Sequence, residues 1–122
     1  MKLRKLSCEL SVCQMGSLES VDFDIEPLFL ARTADEISLV CPTSRVPAST
    51  TAREDGWQGF AIEGPLDFAL VGILAEISRI LAEANVPLFA VSTFNTDYIL
   101  VKADHFERAA TALETAGHSF ID

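Results

Sequence analysis

The alternation of polar and apolar residues near the start of the chain predicts a strand. Between residues 5 and 13, every second side chain is apolar and the side chains between them are polar. A period of two is typical of a strand that buries one of its faces. We expect the buried face to be the apolar one, formed by Leu6, Cys8, Leu10 and Val12.

The rest of the first half contains a predicted hairpin and a polar connection. Residues 28–33 and 36–41 are strand-like runs that only Ala34 and Asp35 separate, which favours a hairpin turn. Residues 42–56 contain two prolines, a threonine–serine cluster and a closing glycine, and they hold little apolar surface. We interpret them as a connection between two halves of the chain, residues 1–56 and 57–122.

The second half predicts two helices among four strands. From Ile73 onward, apolar residues recur at the spacing of an amphipathic helix, which ends near Asn85. A second helical stripe begins near Asp104 and ends at Gly117. Asp104 and Glu107, three residues apart, resemble a capping box at its start. Strands are predicted at residues 57–63, 88–93, 97–102 and 118–121. The order β-α-β-β-α-β is that of the ferredoxin-like split unit, so the predicted class is α+β.

Such a sheet carries both helices on one face. We expect the strand-rich first half either to cover the opposite face or to extend the sheet.

Composition and charge exclude several kinds of partner. The chain has 9 basic and 18 acidic residues and a formal charge of −9. Because few basic side chains are available to neutralise phosphates, we expect neither nucleic acid nor an anionic membrane surface as a partner. No apolar run approaches the roughly 18 residues of a membrane helix, and no signal peptide precedes the cysteines. Three cysteines cannot pair completely, which predicts reduced thiols and a cytoplasmic protein.

The sequence contains no recognisable catalytic, cofactor or metal motif. It has no glycine-rich phosphate loop and no serine flanked by glycines two positions away on each side. The cysteine spacings match no zinc pattern. His105 and His118 stand apart from any predicted nucleophile, and Asp67 and Asp97 lack a third group for acid–base chemistry. We therefore expect no catalysis, no cofactor and no metal.

Two loops of the second half concentrate residues suited to binding. Residues 64–72 place two glycines, a proline and apolar side chains before a helix, whose N-terminal amides suit a carboxylate. The alternative is a plain strand-to-helix turn that packs Phe68 and Leu70 into the core. Residues 92–97 gather three hydroxyls and the Asp97 carboxylate in one turn, where an ammonium group would find acceptors. The alternative here is that Thr96 and Asp97 only cap the turn.

Both loops lie in segments that resemble a known family. Residues 64–75 (GPLDFALVGILA) and 89–102 (FAVSTFNTDYILVK) resemble the signature segments of CASTOR-type ACT domains. These are small bacterial ACT proteins related to the cytosolic arginine sensors of animals. Residues 33–42 (TADEISLVCP) resemble the same group, so the resemblance covers nearly the whole chain.

The resemblance implies a non-catalytic regulatory module that binds an amino acid at the interface between ACT units. It implies that residues 1–56 are a degenerate ACT-like unit, that residues 57–122 are a βαββαβ ACT domain, and that the chain forms a homodimer. An alternative function is a protein-interaction module that keeps the fold without a ligand. The ligand-binding residues implied by the motif are Asp67, Phe68, Leu70, Gly72, Ile73, Ser92, Thr93, Phe94 and Asp97.

Overall fold

The computed structural model describes residues 1–63 and 71–121, which form two compact units. The first, here called the helical unit, consists of Met1–Ser7 and Gln58–Asp122. The second, here called the strand unit, is Cys8–Trp57. Residues 1–7 therefore group with the second half of the chain.

The described residues form seven strands and two α-helices, which confirms the predicted α+β class. Two short 3₁₀ turns, Thr43–Arg45 and Ala103–His105, follow strands. The longer helix has 11 residues, and no helix in the described part of the chain is long and apolar enough to cross a membrane. The elements are β1 (Lys2–Met15), β2 (Phe29–Arg32), β3 (Ile37–Pro42), β4 (Thr50–Ile62), α1 (Ile73–Glu83), β5 (Phe89–Ser92), β6 (Asp97–Lys102), α2 (Phe106–Thr115) and β7 (Ser119–Ile121).

The helical unit has the predicted β-α-β-β-α-β order with one additional strand. Its sheet has the order β7-β1-β4-β6-β5. The additional strand β1 therefore lies between β4 and β7, which are the first and last strands of the β-α-β-β-α-β segment. β1 pairs with β7 in parallel, with Lys2 opposite Ser119 and Arg4 opposite Ile121. In this unit the start of the chain extends the sheet, which is one of the two arrangements that we expected.

The core of the helical unit lies between the sheet and its two helices. Phe60 and Ile62 of β4 are buried there, on one face as predicted. The Phe60, Phe106 and Phe120 rings meet edge to face, with centroids 5.5 to 6.5 Å apart. The remaining buried members of this core are Leu3, Ile77, Ile80, Leu81, Val86, Ile99, Val101, Ala109 and Leu113.

Both helices end in the same hydrogen-bonded motif. After α1, Asn85 adopts a φ of 59° and the amide of Val86 donates to the carbonyl of Leu81. After α2, Gly117 has a φ of 102° and the amide of His118 donates to the carbonyl of Leu113. These are Schellman motifs, in which a residue in the left-handed region satisfies the last carbonyls of the helix.

The predicted capping box at the start of α2 does not form. Asp104 lies inside the 3₁₀ turn that leads into the helix, and the N-cap residue is His105. His105 already has helical dihedral angles and makes no side-chain capping bond. A capping box requires an extended N-cap residue, which the continuous turn removes.

The strand unit repeats part of the helical unit at an offset of 60 residues. β2 and β3 pair as Phe29 with Val40, while β5 and β6 pair as Phe89 with Leu100. The 3₁₀ turn after β3 likewise precedes the turn after β6 by 60 residues. The strand order is β2-β3-β1-β4, and Cys8–Trp57, which is described throughout, contains no α-helix. The hairpin predicted around Ala34 is confirmed.

β4 begins at Thr50, seven residues before the predicted strand. Residues 50–55 are polar and mostly exposed, so they show no apolar pattern and were assigned to the connection. Gly56 has a φ of 83° within β4, in the left-handed region that suits glycine, and the buried residues of the strand all follow it. Periodicity could therefore identify only the part of β4 that packs against the helices.

The predicted faces of β1 are confirmed between Lys5 and Leu10, where Leu10 is buried, Leu6 and Cys8 are partly buried, and the polar side chains between them are exposed. Towards its ends β1 also buries residues of the other face: Leu3 lies in the core of the helical unit, and Cys13 and Met15 lie in the core of the strand unit. Ser11, predicted to face away from the core, is buried. Its hydroxyl donates to Asp55 Oδ1 over 2.6 Å and pairs with Thr43 Oγ1 at 2.9 Å. These hydrogen bonds make the burial of a polar side chain possible.

All three cysteines are free thiols. Cys13 and Cys41 are buried in the core of the strand unit, and Cys8 is half-buried. Burial is the main cause that raises the pKa of Cys41 to about 11, and the neighbouring Cys13 side chain is the second. Because the thiolate is the nucleophilic form, this environment favours a packing role for Cys41.

Candidate functional site

The predicted binding residues fall into two segments of the helical unit. Gly72 and Ile73 begin α1, and the other described ones lie in the β5–β6 hairpin. Three further predicted residues, Asp67, Phe68 and Leu70, lie outside the described residues.

The start of α1 depends on the backbone conformation of Gly72. This N-cap residue has a φ of 85°, in the left-handed region that disfavours other residues. Its carbonyl accepts a 2.8 Å hydrogen bond from the Glu76 amide, and no side chain caps the helix. The amides of the first turn have no acceptor within the helix and carry a partial positive charge. The geometry therefore suits a negatively charged group.

The hairpin contains a closely bonded serine–aspartate pair. Ser92 lies opposite Asp97 in the ladder, and its hydroxyl donates to Asp97 Oδ1 over 2.6 Å. A hydroxyl that donates to a carboxylate makes a charge-assisted bond, which fixes the orientation of the acceptor. Asp97 thus presents a held carboxylate at the end of the hairpin.

Thr93 and Thr96 serve the turn itself. The Thr93 amide and hydroxyl both donate to the Thr96 carbonyl, over 2.8 and 3.0 Å. The Thr96 hydroxyl donates to the carbonyl of Ile62 over 2.6 Å, which ties the turn to the end of β4. The structure therefore accounts for Thr93 and Thr96 by turn closure; the sequence had offered this alternative for Thr96 and Asp97. The link from Thr96 to Ile62 was not predicted, since the sequence does not show which strand adjoins the turn.

The equivalent hairpin of the strand unit shows which hydrogen bonds the turn needs in order to close. There the Thr33 amide donates to the carbonyl of Glu36 over 3.0 Å, as at the equivalent Thr93. The positions equivalent to Ser92 and Asp97 are occupied by Arg32 and Ile37. Because the turn closes without the serine–aspartate pair, that pair is not required for the hairpin fold.

Two large apolar side chains are exposed near these segments. Phe94, at the tip of the hairpin, is 79% exposed, and Val71, directly before Gly72, is 90% exposed. Neither belongs to the core of the helical unit. Exposed apolar side chains of this size are typical of surfaces that contact a ligand or another protein.

The described part of the chain shows no group of three or more side chains able to hold a metal ion. His118 is buried beside Glu76, and His105 lies next to the exposed Asp104. Neither imidazole is hydrogen-bonded to a serine or cysteine side chain in the contacts of the described residues.

Comparison with known proteins places this geometry in a family. The ACT domain family model matches residues 52–115, just over half of the chain. The chain belongs to the ACT domain family. This ACT protein is 30% identical to a crystallised protein from Agobacterium tumefaciens, with a TM-score of 0.84, over 98% of this chain and 91% of that one.

Two more distant structures share the fold. A Vibrio cholerae protein of unknown function, described as a possible transport protein, is 19% identical with a TM-score of 0.71, over 91% of this chain and 85% of that one. The ligand-free regulatory subunit of aspartate kinase from Thermus thermophilus is 9% identical with a TM-score of 0.61, over 90% and 93%. The predicted ACT family is thus confirmed, while the narrower CASTOR-type group stays a prediction.

Proposed function

We propose that this ACT protein is a non-catalytic regulatory module that binds a free amino acid. The observation that carries the proposal is the Ser92–Asp97 pair, which the hairpin does not need for its own closure. A carboxylate held by a neighbouring hydroxyl suits an α-ammonium group, and the amides after Gly72 suit an α-carboxylate. Together, the Asp97 carboxylate and the amides after Gly72 complement the two charges of a zwitterionic amino acid.

The apolar residues around these segments would enclose the effector. Phe94 is exposed at the hairpin tip, and we assign it to the wall of the site, while Asp67, Phe68 and Leu70 stay binding residues that the resemblance implies. The effector would be held where this surface meets another ACT unit. A ligand seated there stabilises one arrangement of units, and a partner protein can respond to that arrangement by linkage. We propose the cytoplasm as the compartment, in agreement with three free thiols.

The strand unit is proposed to be a degenerate ACT-like unit. Its strand order and its hairpin register repeat those of the helical unit, and no α-helix lies 60 residues before α1 or α2. The equivalent hairpin lacks the serine–aspartate pair, so we assign binding to the helical unit alone. The effector site then requires a second copy of the chain to supply another intact ACT unit.

We therefore expect a homodimer. β5 is the edge strand of the helical unit and pairs only with β6 among the described strands, and unpaired edges of short sheets favour association between chains. Light scattering at micromolar concentration should give the mass of two 13.3 kDa chains. A mass of one chain at all micromolar concentrations would contradict the dimer, and a mass that rises with added amino acid would show that the effector completes it.

The direct test of binding is thermal unfolding in the presence of each of the twenty amino acids. A ligand at 100 times its dissociation constant should stabilise the native state by about 2.7 kcal/mol, and thus raise Tm by several degrees. A single responding amino acid, or a chemically related pair, would identify the effector. Twenty unchanged curves from a folded protein would contradict the proposal.

The second candidate function is a protein-interaction module without a ligand. The exposure of Phe94 and Val71 favours it, because such side chains also occur at the centres of protein interfaces. Under this hypothesis no amino acid changes Tm, while Phe94→Ala weakens self-association.

A further inference from the structure

His118 is a buried titratable group that the proposed binding chemistry does not use. Its side chain is only 4% exposed, and its Nε2 lies 2.9 Å from Glu76 Oε2. Its Nδ1 lies 3.1 Å from the amino group of Met1. Because a carboxylate oxygen can only accept, the 2.9 Å contact is a hydrogen bond that His118 Nε2 donates to Glu76.

The backbone of His118 is also held by a hydrogen bond. The residue follows Gly117 in the Schellman motif of α2, and its amide donates to the carbonyl of Leu113 over 3.0 Å. His118 is therefore tied to the end of one helix by its backbone and to the other helix by its side chain.

The other end of this link is the first turn of α1. Glu76 is the acidic residue of that turn, and its amide donates to the carbonyl of Gly72 over 2.8 Å. Glu76 thus joins the imidazole of His118 to the N-cap residue through two hydrogen bonds. The amides that follow Gly72 belong to the same turn, so their position depends on where Glu76 is held.

We propose that His118 is a positioning residue that sets the first turn of α1. It holds Glu76 against the end of α2 and thereby fixes the amides that follow Gly72. Its importance for effector binding rests on the proposed function. The local ordering of the turn does not, since it can be measured on the protein without any ligand.

Amide hydrogen exchange in the ligand-free native protein tests this inference. The reporters are the amide of Glu76, which donates to the carbonyl of the N-cap residue Gly72, and the amide of Ile77, whose acceptor in a regular helix is the carbonyl of Ile73. His118→Ala should raise their exchange rates about tenfold, while the amides of Ile80 and Leu81 change less than about twofold. His118→Gln keeps a donor that can reach Glu76 and should restore most of the protection.

Glu76 provides a second route to the same answer, because its side chain is half-exposed and its replacement does not disturb the core. Glu76→Ala should raise the exchange of Ile77 by the same factor, and combination with His118→Ala should add nothing further. Glu76→Gln loses the charge but retains an acceptor, and should stay near the native rate.

Arg79→Ala is the matched control, because it removes the exposed Arg79–Glu83 ion pair from the other end of α1. It should leave Glu76 and Ile77 unchanged. The inference is overturned if Glu76→Ala leaves Ile77 unchanged, or if the variants raise all amides alike. A flat amino-acid screen with locally raised exchange would reject the proposed function and retain the role of His118.

Discussion

Replacing Phe60 with alanine should lower the free energy of unfolding by about 3–5 kcal/mol, the usual cost of removing a buried phenylalanine. Phe60 is completely buried in the helical unit, and its ring meets Phe106 and Phe120 edge to face. The substitution removes both the apolar contacts and the aromatic geometry of this cluster. Since folded proteins are stable by roughly 5–15 kcal/mol, the variant should be close to unfolding.

Urea denaturation followed by circular dichroism measures this effect. Phe23→Ala is the matched control, because Phe23 is 60% exposed and the same chemical change there should cost less than about 1 kcal/mol. Equal losses for the two variants would show that Phe60 is not central to the core. A loss at Phe60 with an altered denaturant slope would instead indicate a change in the unfolded state.

Replacing Asp97 with alanine should weaken binding of the amino acid identified by thermal unfolding by roughly 10- to 150-fold. This corresponds to about 1.5–3 kcal/mol for a hydrogen bond to a charged group. The reason is that an α-ammonium would lose its carboxylate partner, while the turn, closed by Thr93 and Thr96, would remain. Isothermal titration calorimetry at low salt provides the dissociation constants.

Two further variants separate binding from folding. Asp35→Ala changes a carboxylate in the equivalent hairpin of the strand unit and should leave the affinity unchanged. Ser92→Ala removes the bond that orients Asp97 and should give an intermediate loss. If Asp97→Ala binds as tightly as the native protein with an unaltered Tm, the carboxylate has no role in recognition.

Elements whose buried residues form a clear apolar pattern were predictable from the sequence. The stripe that includes Ile77 and Leu81 correctly predicted α1, and the run between Asp97 and Lys102 predicted β6 to the residue. In α1 the core forces a regular spacing on the apolar side chains, whereas in β6 it buries the consecutive residues Ile99, Leu100 and Val101, so that strand appears as a continuous apolar run.

The features that the sequence analysis missed produce no pattern of apolar residues. The first half of β4 is polar on both faces, so its pairing with β1 cannot be seen as periodicity. The insertion of β1 between β4 and β7 is a matter of lateral order, to which the local pattern is insensitive. The 60-residue repeat is visible in Phe29 and Phe89 and in Thr33 and Thr93, but few other positions are identical.

The candidate site was predictable in part. The motif identified the hairpin and the start of α1, and the structure distinguishes Asp97, held by Ser92, from Thr93, which the turn requires. His118 and Glu76 were missed because they are 42 residues apart in sequence and meet only through the packing of two helices. No spacing rule for a single element relates such residues.

The pairing of Lys2–Arg4 with Ser119–Ile121 has a consequence for folding during synthesis. The β2–β3 hairpin can form soon after it leaves the ribosome, because its partners are near neighbours in the chain. The sheet of the helical unit cannot be completed until β7 has left the ribosome, so the edge of β1 that pairs with β7 stays open until then. We therefore expect the helical unit to stay exposed to incorrect pairing for longer than the strand unit.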